Sequence, residues 1–119
     1  MDMNSAISSF AALAQSTRLE VIRLLVRHEP AGLPAGEIAR CVSVPHNTMS
    51  AHLAILVRAG LIEARRQSRS VIYRARLDTI RDLSSYLVKD CCGGRPEICE
   101  PLIVELASCG ASSNPPSTA

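Results

Sequence analysis

The chain has 119 residues, one domain's worth, and at that length much of its apolar surface is hard to cover without a partner subunit. Hydrophobic residues make up 47% and charged residues 20%, with a single Phe, which excludes a disordered or collagen-like chain and suits an aliphatic, helix-rich core. The net charge of +2 is too mild to identify a nucleic-acid partner, so the placement of the basic residues carries that question.

Residues 1–10 have neither the basic flank nor the apolar stretch of a secretory signal. No apolar run approaches the roughly 20 residues of a membrane span, so a cytoplasmic protein without a membrane partner is expected. Ile7, Phe10, Ala11 and Ala14 repeat at helical spacing and predict a first helix. Ser16 is the expected cap of a second, whose inward stripe is Leu19, Ile22, Leu25 and Val26. Residues 28–34 hold two prolines and a glycine and predict a loop, after which Ala35 to Val42 resumes as a short helix with Ile38 inward. Pro45 punctuates again. From His46 a longer helix carries Met49, Leu53, Leu56 and Val57 on one side and Asn47, Ser50, Ala51 and Ala54 on the other, with Gly60 as its stop.

Two β-prone runs, residues 61–65 and 70–74, are joined by the polar residues 66–69 and predict a two-stranded hairpin. Leu77, Ile80, Leu83, Ser84, Leu87 and Val88 make a last amphipathic helix that Asp78 helps cap and that Gly93 and Gly94 stop. Residues 110–119 are small, polar and proline-bearing, the composition of a disordered tail behind one domain of residues 1–109.

A short helix, a turn and a second helix is the order that lays a recognition helix in the major groove. Asn47, Thr48 and Ser50, joined by His46, are short hydrogen-bonding residues suited to base edges and phosphates. Behind them Arg58, Arg65, Arg66, Arg69, Arg74 and Arg76 face a lone Glu63, a local field that would bind phosphate through counterion release. Taken separately, a solvated helix face and a charged hairpin would explain each feature; together they favour double-stranded DNA.

Residues 44–62, V-P-H-N-T-M-S-A-H-L-A-I-L-V-R-A-G-L-I, followed by R-R-Q-S-R-S-V-I-Y-R, resemble the recognition helix and wing of the ArsR/SmtB bacterial repressors. The resemblance spans roughly Ala6 to Lys89. It implies a DNA-reading role for Thr48, Ser50 and His52 and a wing tip at Arg65 to Arg69, with Asn47 and His46 where small polar residues are usual. Ala51 departs from the pattern, since a long donor is common there. His52 adjoins Leu53 and stands three residues before the core position Ile55, so a packed, hydrogen-bonded histidine and a DNA contact are both compatible with its place.

Five cysteines in a chain without an export signal point to metal or redox chemistry ahead of a disulfide framework. Cys91, Cys92 and Cys99 cluster at the expected end of the last helix across Gly93 and Gly94, while His28, His46 and His52 are remote. Three sulfurs without nitrogen suit thiophilic ions, and the lone pair of As(III) or Sb(III) makes pyramidal three-thiolate coordination natural. Small buried hydrophobes are the plainer reading of the three. Cys41 and Cys109 stand alone, and a packing or incidental role is expected of each. Well-known arsenic sensors of the family carry a Cys-x-Cys pair where this chain has only Cys41; the resemblance is to relatives whose cysteines sit at the C-terminal helix. Zinc sensors of the family place His on the last helix, and residues 77–89 contain none.

These readings give a mainly α (α+β) winged helix-turn-helix with a hairpin wing, a homodimer paired through first and last helices. Its expected function is a repressor that leaves operator DNA when Cys91, Cys92 and Cys99 capture As(III) or Sb(III). Two alternatives remain within regulation: a cadmium or lead sensor with a fourth sulfur from Cys41 or Cys109, and a thiol redox switch. An enzyme lacks support, because the chain has no phosphate loop, no Cys-x-x-Cys ahead of a βαβ pattern and no nucleophile paired with an obvious base.

Overall fold

Asp2 starts the first helix, α1 (Met3–Leu13), by accepting the amide of Ser5 on its Oδ1 at 2.9 Å. In the computed structural model, which describes residues 1–89, α1 is followed by α2 (Ser16–Arg27), β1 (Leu33–Pro34), α3 (Ala35–Val42), α4 (His46–Arg58), β2 (Ile62–Gln67), β3 (Ser70–Ala75) and α5 (Leu77–Lys89). Residues 1–83 form one compact unit. The expectations for Gly93 and Gly94, the thiol cluster and the tail fall outside the described residues.

Along α1 and its C-cap the stripe of Ile7, Phe10, Ala11 and Ala14 lies exposed. Ala6, Ser9 and Ala12 are the buried positions, while Met3, Ile7 and Phe10 are exposed. Small residues let a helix lie close to its neighbours, so the large apolar side chains end up on the opposite side. In α2 the cap is Gln15 in place of the expected Ser16: its extended backbone precedes the helix and its Oε1 accepts the Arg18 amide at 2.9 Å. Val21, Ile22, Leu24 and Leu25 are buried there, whereas Leu19 and Val26 are exposed.

The expected loop before α3 holds a strand. Leu33 and Pro34 pair antiparallel with Tyr73 and Ile72, giving a three-stranded sheet of order β1-β3-β2 in place of a bare hairpin. Two residues are too few to show alternation, and Pro34, with no N–H to donate, is tolerated because β1 lies at the sheet edge. Gly32 makes the approach possible. Its φ is +75°, and a Cβ there would lie 2.5 Å from the Tyr73 carbonyl oxygen and 2.6 Å from Arg74 Cγ. Left-handed backbone and a backbone clash each cost on the order of 1 to 3 kcal/mol, so Gly32→Ala is expected to lower stability by about 2 to 4 kcal/mol in urea unfolding. A loss under about 0.5 kcal/mol, the usual range for surface changes, would contradict this packing.

Ser43, in the left-handed conformation at φ 62°, ends α3, and Val44 and Pro45 turn the chain into α4. The end of α4 is a Schellman motif: the Gly60 amide reaches Val57 O at 3.0 Å and the Leu61 amide reaches Leu56 O at 3.1 Å, with Gly60 at φ +79°. Leu56 and Leu61, the apolar pair that accompanies such a motif, are both fully buried. They join Val21, Leu25, Ile38, Met49, Leu53 and Ile62 in the core, which thereby fixes α4 against α2, α3 and the sheet. In the hairpin Gln67 pairs with Ser70, so the loop is Ser68 and Arg69 alone, shorter than the expected four residues. Ser68 takes the positive φ of 55° that a tight two-residue hairpin turn requires.

Candidate nucleic-acid interface

Met49, Leu53 and Leu56, at i, i+4 and i+7, are 0%, 1% and 0% exposed, and this stripe decides which side of α4 meets solvent. The outward residues are His46, Asn47, Thr48, Ser50, Ala51 and Ala54, as the periodicity predicts. Val57, expected inward, is exposed, because it stands one residue past the buried Leu56 and so about 100° around the helix from it. Asn47 Oδ1 accepts the Thr48 amide at 3.0 Å, which leaves the Asn47 side-chain N–H donors free for a base or phosphate. Ser50 Oγ donates to His46 O at 3.2 Å and still has lone pairs to offer.

His52 is half-buried, and its Nδ1 lies 3.3 Å from Arg18 Nη1. A guanidinium has only donors, so Nδ1 is the acceptor and the neutral ring carries its hydrogen on Nε2. Arg18 also donates through Nε to Ala12 O at 2.6 Å. The periodicity of α2 gives no sign of this link, because Arg18 reads as an ordinary charged position.

The structure divides the six arginines. Arg74 Nη2 binds Glu29 Oε1 at 2.8 Å, with Glu63 at 4.0 Å from its other amino group, and the hydrogen bond and charge of Glu29 hold its guanidinium above the usual arginine range. Arg76 binds Asp78 at 3.1 Å, and that hydrogen bond holds the Asp78 carboxyl below the usual carboxylate range. Arg65 touches Glu63 only loosely, at 3.6 Å. Among the described residues Arg58, Arg66 and Arg69 have no ion-pair partner, and Arg66 and Arg69 stand exposed beside and at the hairpin loop. The field available to phosphate is thus carried by Arg65, Arg66, Arg69 and Arg58, with Arg74 and Arg76 committed inside the protein. The partner of Arg74 lies 45 residues away in sequence, beyond the reach of a local charge count.

Cys41 is an exposed free thiol on α3, which leaves the incidental role and not the packing role of the two expected for it; Glu20, Arg23 and Arg27 of α2 line the same shallow pocket. Cys91, Cys92, Cys99 and Cys109 lie outside the described residues. No described helix is long and apolar enough to cross a membrane.

A core-packed helix-turn-helix followed by a hairpin with an arginine tip defines the winged-helix class of DNA-binding regulators. A helix-turn-helix domain family matches residues 13–65. The transcriptional activator HlyU of Vibrio cholerae is 32% identical over 75 residues, 61% of this chain and 67% of that protein. An ArsR-like transcriptional regulator from Rhodococcus sp. RHA1 superposes with a TM-score of 0.66 at 26% identity, covering 87% of this chain and 93% of the other. A homodimeric winged helix-turn-helix DNA-binding domain from Mycobacterium bovis, a possible ArsR-family regulator, does so with a TM-score of 0.61 at 27% identity, over 76% and 82% of the two chains. The chain belongs to the ArsR family of winged-helix transcription regulators. These relatives are DNA-binding regulators and not enzymes.

Proposed function

We propose that the protein is a homodimeric repressor that reads operator DNA through His46, Asn47, Thr48 and Ser50, holds phosphates through Arg65, Arg66 and Arg69, and lets go when As(III) or Sb(III) is bound by Cys91, Cys92 and Cys99. The observation that carries the DNA half is the polar face of α4, which the buried Met49, Leu53 and Leu56 stripe turns wholly outward. Met3, Ile7 and Phe10, exposed on α1, supply the apolar surface a second subunit would cover, and the M. bovis relative is described as homodimeric. HlyU carries the name of an activator, so the sign of regulation is part of the proposal and rests on the resemblance of α4 and wing to ArsR/SmtB repressors.

Three thiols within nine residues, with no histidine nearby, support the inducer. Ion capture would tie the end of the last helix to the chain that follows and favour a dimer in which the two recognition helices no longer match successive major grooves. A coupling of about 1 to 3 kcal/mol gives a 5- to 150-fold loss of operator affinity, and DNA must weaken ion binding by the same factor. The exposure of Cys41 leaves its sulfur available to either alternative, a fourth sulfur in a cadmium or lead site or a disulfide in a thiol redox switch.

The DNA half is tested on Asn47→Ala and Ser50→Ala, with the tightest duplex that the wild-type protein selects from a random-sequence pool and an unselected duplex. Each variant is expected to lose about 1 to 3 kcal/mol on the selected duplex and little on the other, because base-edge contacts discriminate and phosphate contacts do not. Equal losses on both duplexes would show that another face of the protein reads sequence.

A further inference from the structure

Arg18 stands in the first turn of α2 and yet bonds to two other helices. Its Nε donates to Ala12 O, near the end of α1, at 2.6 Å, and its Nη1 donates to His52 Nδ1 on α4 at 3.3 Å. Its own amide is held by the Gln15 cap at 2.9 Å, so both its backbone and its side chain are fixed. The guanidinium is planar and its donors are in a rigid fork, which means that fixing Nε on Ala12 also fixes where Nη1 can meet a partner. The core stripe of Met49, Leu53 and Leu56 seats α4 against α2, α3 and the sheet by shape, without a directional bond. The hydrogen bond from a fixed donor adds a directional constraint on the rotation of α4 about its axis. His52 lies two residues beyond Ser50 and five beyond Asn47 on the same helix, so the bond is set within the turns that carry the outward polar residues.

We propose that Arg18 is a positioning residue for sequence recognition: by holding His52 Nδ1 it sets the rotation of α4 and thereby the aim of Asn47, Thr48 and Ser50 at base edges. His52 then serves sequence readout through its Nδ1 acceptor and not by touching a base. The inference rests on α4 being the DNA-reading helix.

The variants are Arg18→Ala, His52→Leu, His52→Asn and the double variant Arg18→Ala with His52→Leu, each titrated against the selected and the unselected duplex at one salt concentration. Asn places its Oδ1 where the histidine has Nδ1 and keeps the acceptor; Leu removes it. Arg18→Ala and His52→Leu are each expected to reduce the preference for the selected duplex about tenfold, the scale of one misplaced base contact, with less than a twofold change on unselected DNA. The double variant should be no worse than either single one, since the two residues act through one bond. His52→Asn should restore most of the preference that His52→Leu loses.

If His52→Asn discriminates as poorly as His52→Leu, or if the two single losses add in the double variant, His52 reads DNA itself and the proposal is wrong. Should Arg18→Ala fail to fold, the comparison of His52→Asn with His52→Leu decides alone. Asn47→Ala and Ser50→Ala serve as the reference. If they alter the preference and Arg18→Ala does not, the positioning role fails by itself; if none of Asn47→Ala, Ser50→Ala, Arg18→Ala and His52→Leu alters it, α4 is not the reading helix.

Discussion

Replacing Arg66 and Arg69 together by Ala is expected to weaken binding to every duplex, selected or not, by about thirtyfold at roughly 0.15 M salt, and to flatten the salt dependence by about two units. Each phosphate contact on duplex DNA contributes a slope of about 0.9 in log affinity against log salt, and two lost contacts account for that factor relative to roughly 1 M salt. These two side chains are chosen because they are exposed and have no ion-pair partner among the described residues. Arg74→Ala should leave the slope unchanged, since its guanidinium is already committed to Glu29 and Glu63. An unaltered slope in the Arg66 and Arg69 double variant would remove the wing from the interface.

That contrast between arginines marks where the sequence stops being sufficient. Helical periodicity identifies the outward face of α4 because a buried stripe at i, i+4 and i+7 leaves only one side for solvent, and the side so marked is the one found. Gly60 likewise announces the end of α4, where it closes the Schellman motif. Local charge counting fails for Arg74, because its carboxylate partner Glu29 is brought near only by folding, whereas the partner of Arg76, Asp78, stands two residues along the chain. The link from Arg18 to His52 crosses 34 residues and has no periodic signature.

Other misreadings have equally local causes. On α1 periodicity finds the stripe of Ile7 and Phe10 but not that the small residues Ala6, Ser9 and Ala12 face the core, because apolar character alone does not say which partner covers a face. A two-residue strand such as β1 has no period to detect, and only Gly32 with its positive φ betrays that the chain passes close beneath β3. The Gln15 cap escapes notice because Ser16 beside it is the commoner capping type.

The second large effect concerns the inducer. Cys91→Ser, Cys92→Ser and Cys99→Ser should each keep wild-type affinity for the selected duplex and each lose release by arsenite, because a hydroxyl is a poor ligand for a thiophilic ion and two sulfurs hold it too weakly to bias the dimer. The lost response is the whole 5- to 150-fold factor expected from a coupling of about 1 to 3 kcal/mol. Cys41→Ser and Cys109→Ser should respond as wild type does. If cadmium released the wild-type protein, arsenite did not, and Cys41→Ser abolished the cadmium response, a four-sulfur site would replace the three-sulfur one. Release by peroxide alone, reversed by a thiol reductant, would establish a redox switch instead.

The most direct measurement is a titration of the wild-type protein on its selected duplex with arsenite under reducing conditions, followed by fluorescence anisotropy of labelled DNA. The expected result is dissociation that antimonite reproduces and that any one of Cys91→Ser, Cys92→Ser or Cys99→Ser prevents. A wild-type complex that stays intact at saturating arsenite, or five cysteine variants that all dissociate like the wild type, would contradict the proposed sensor.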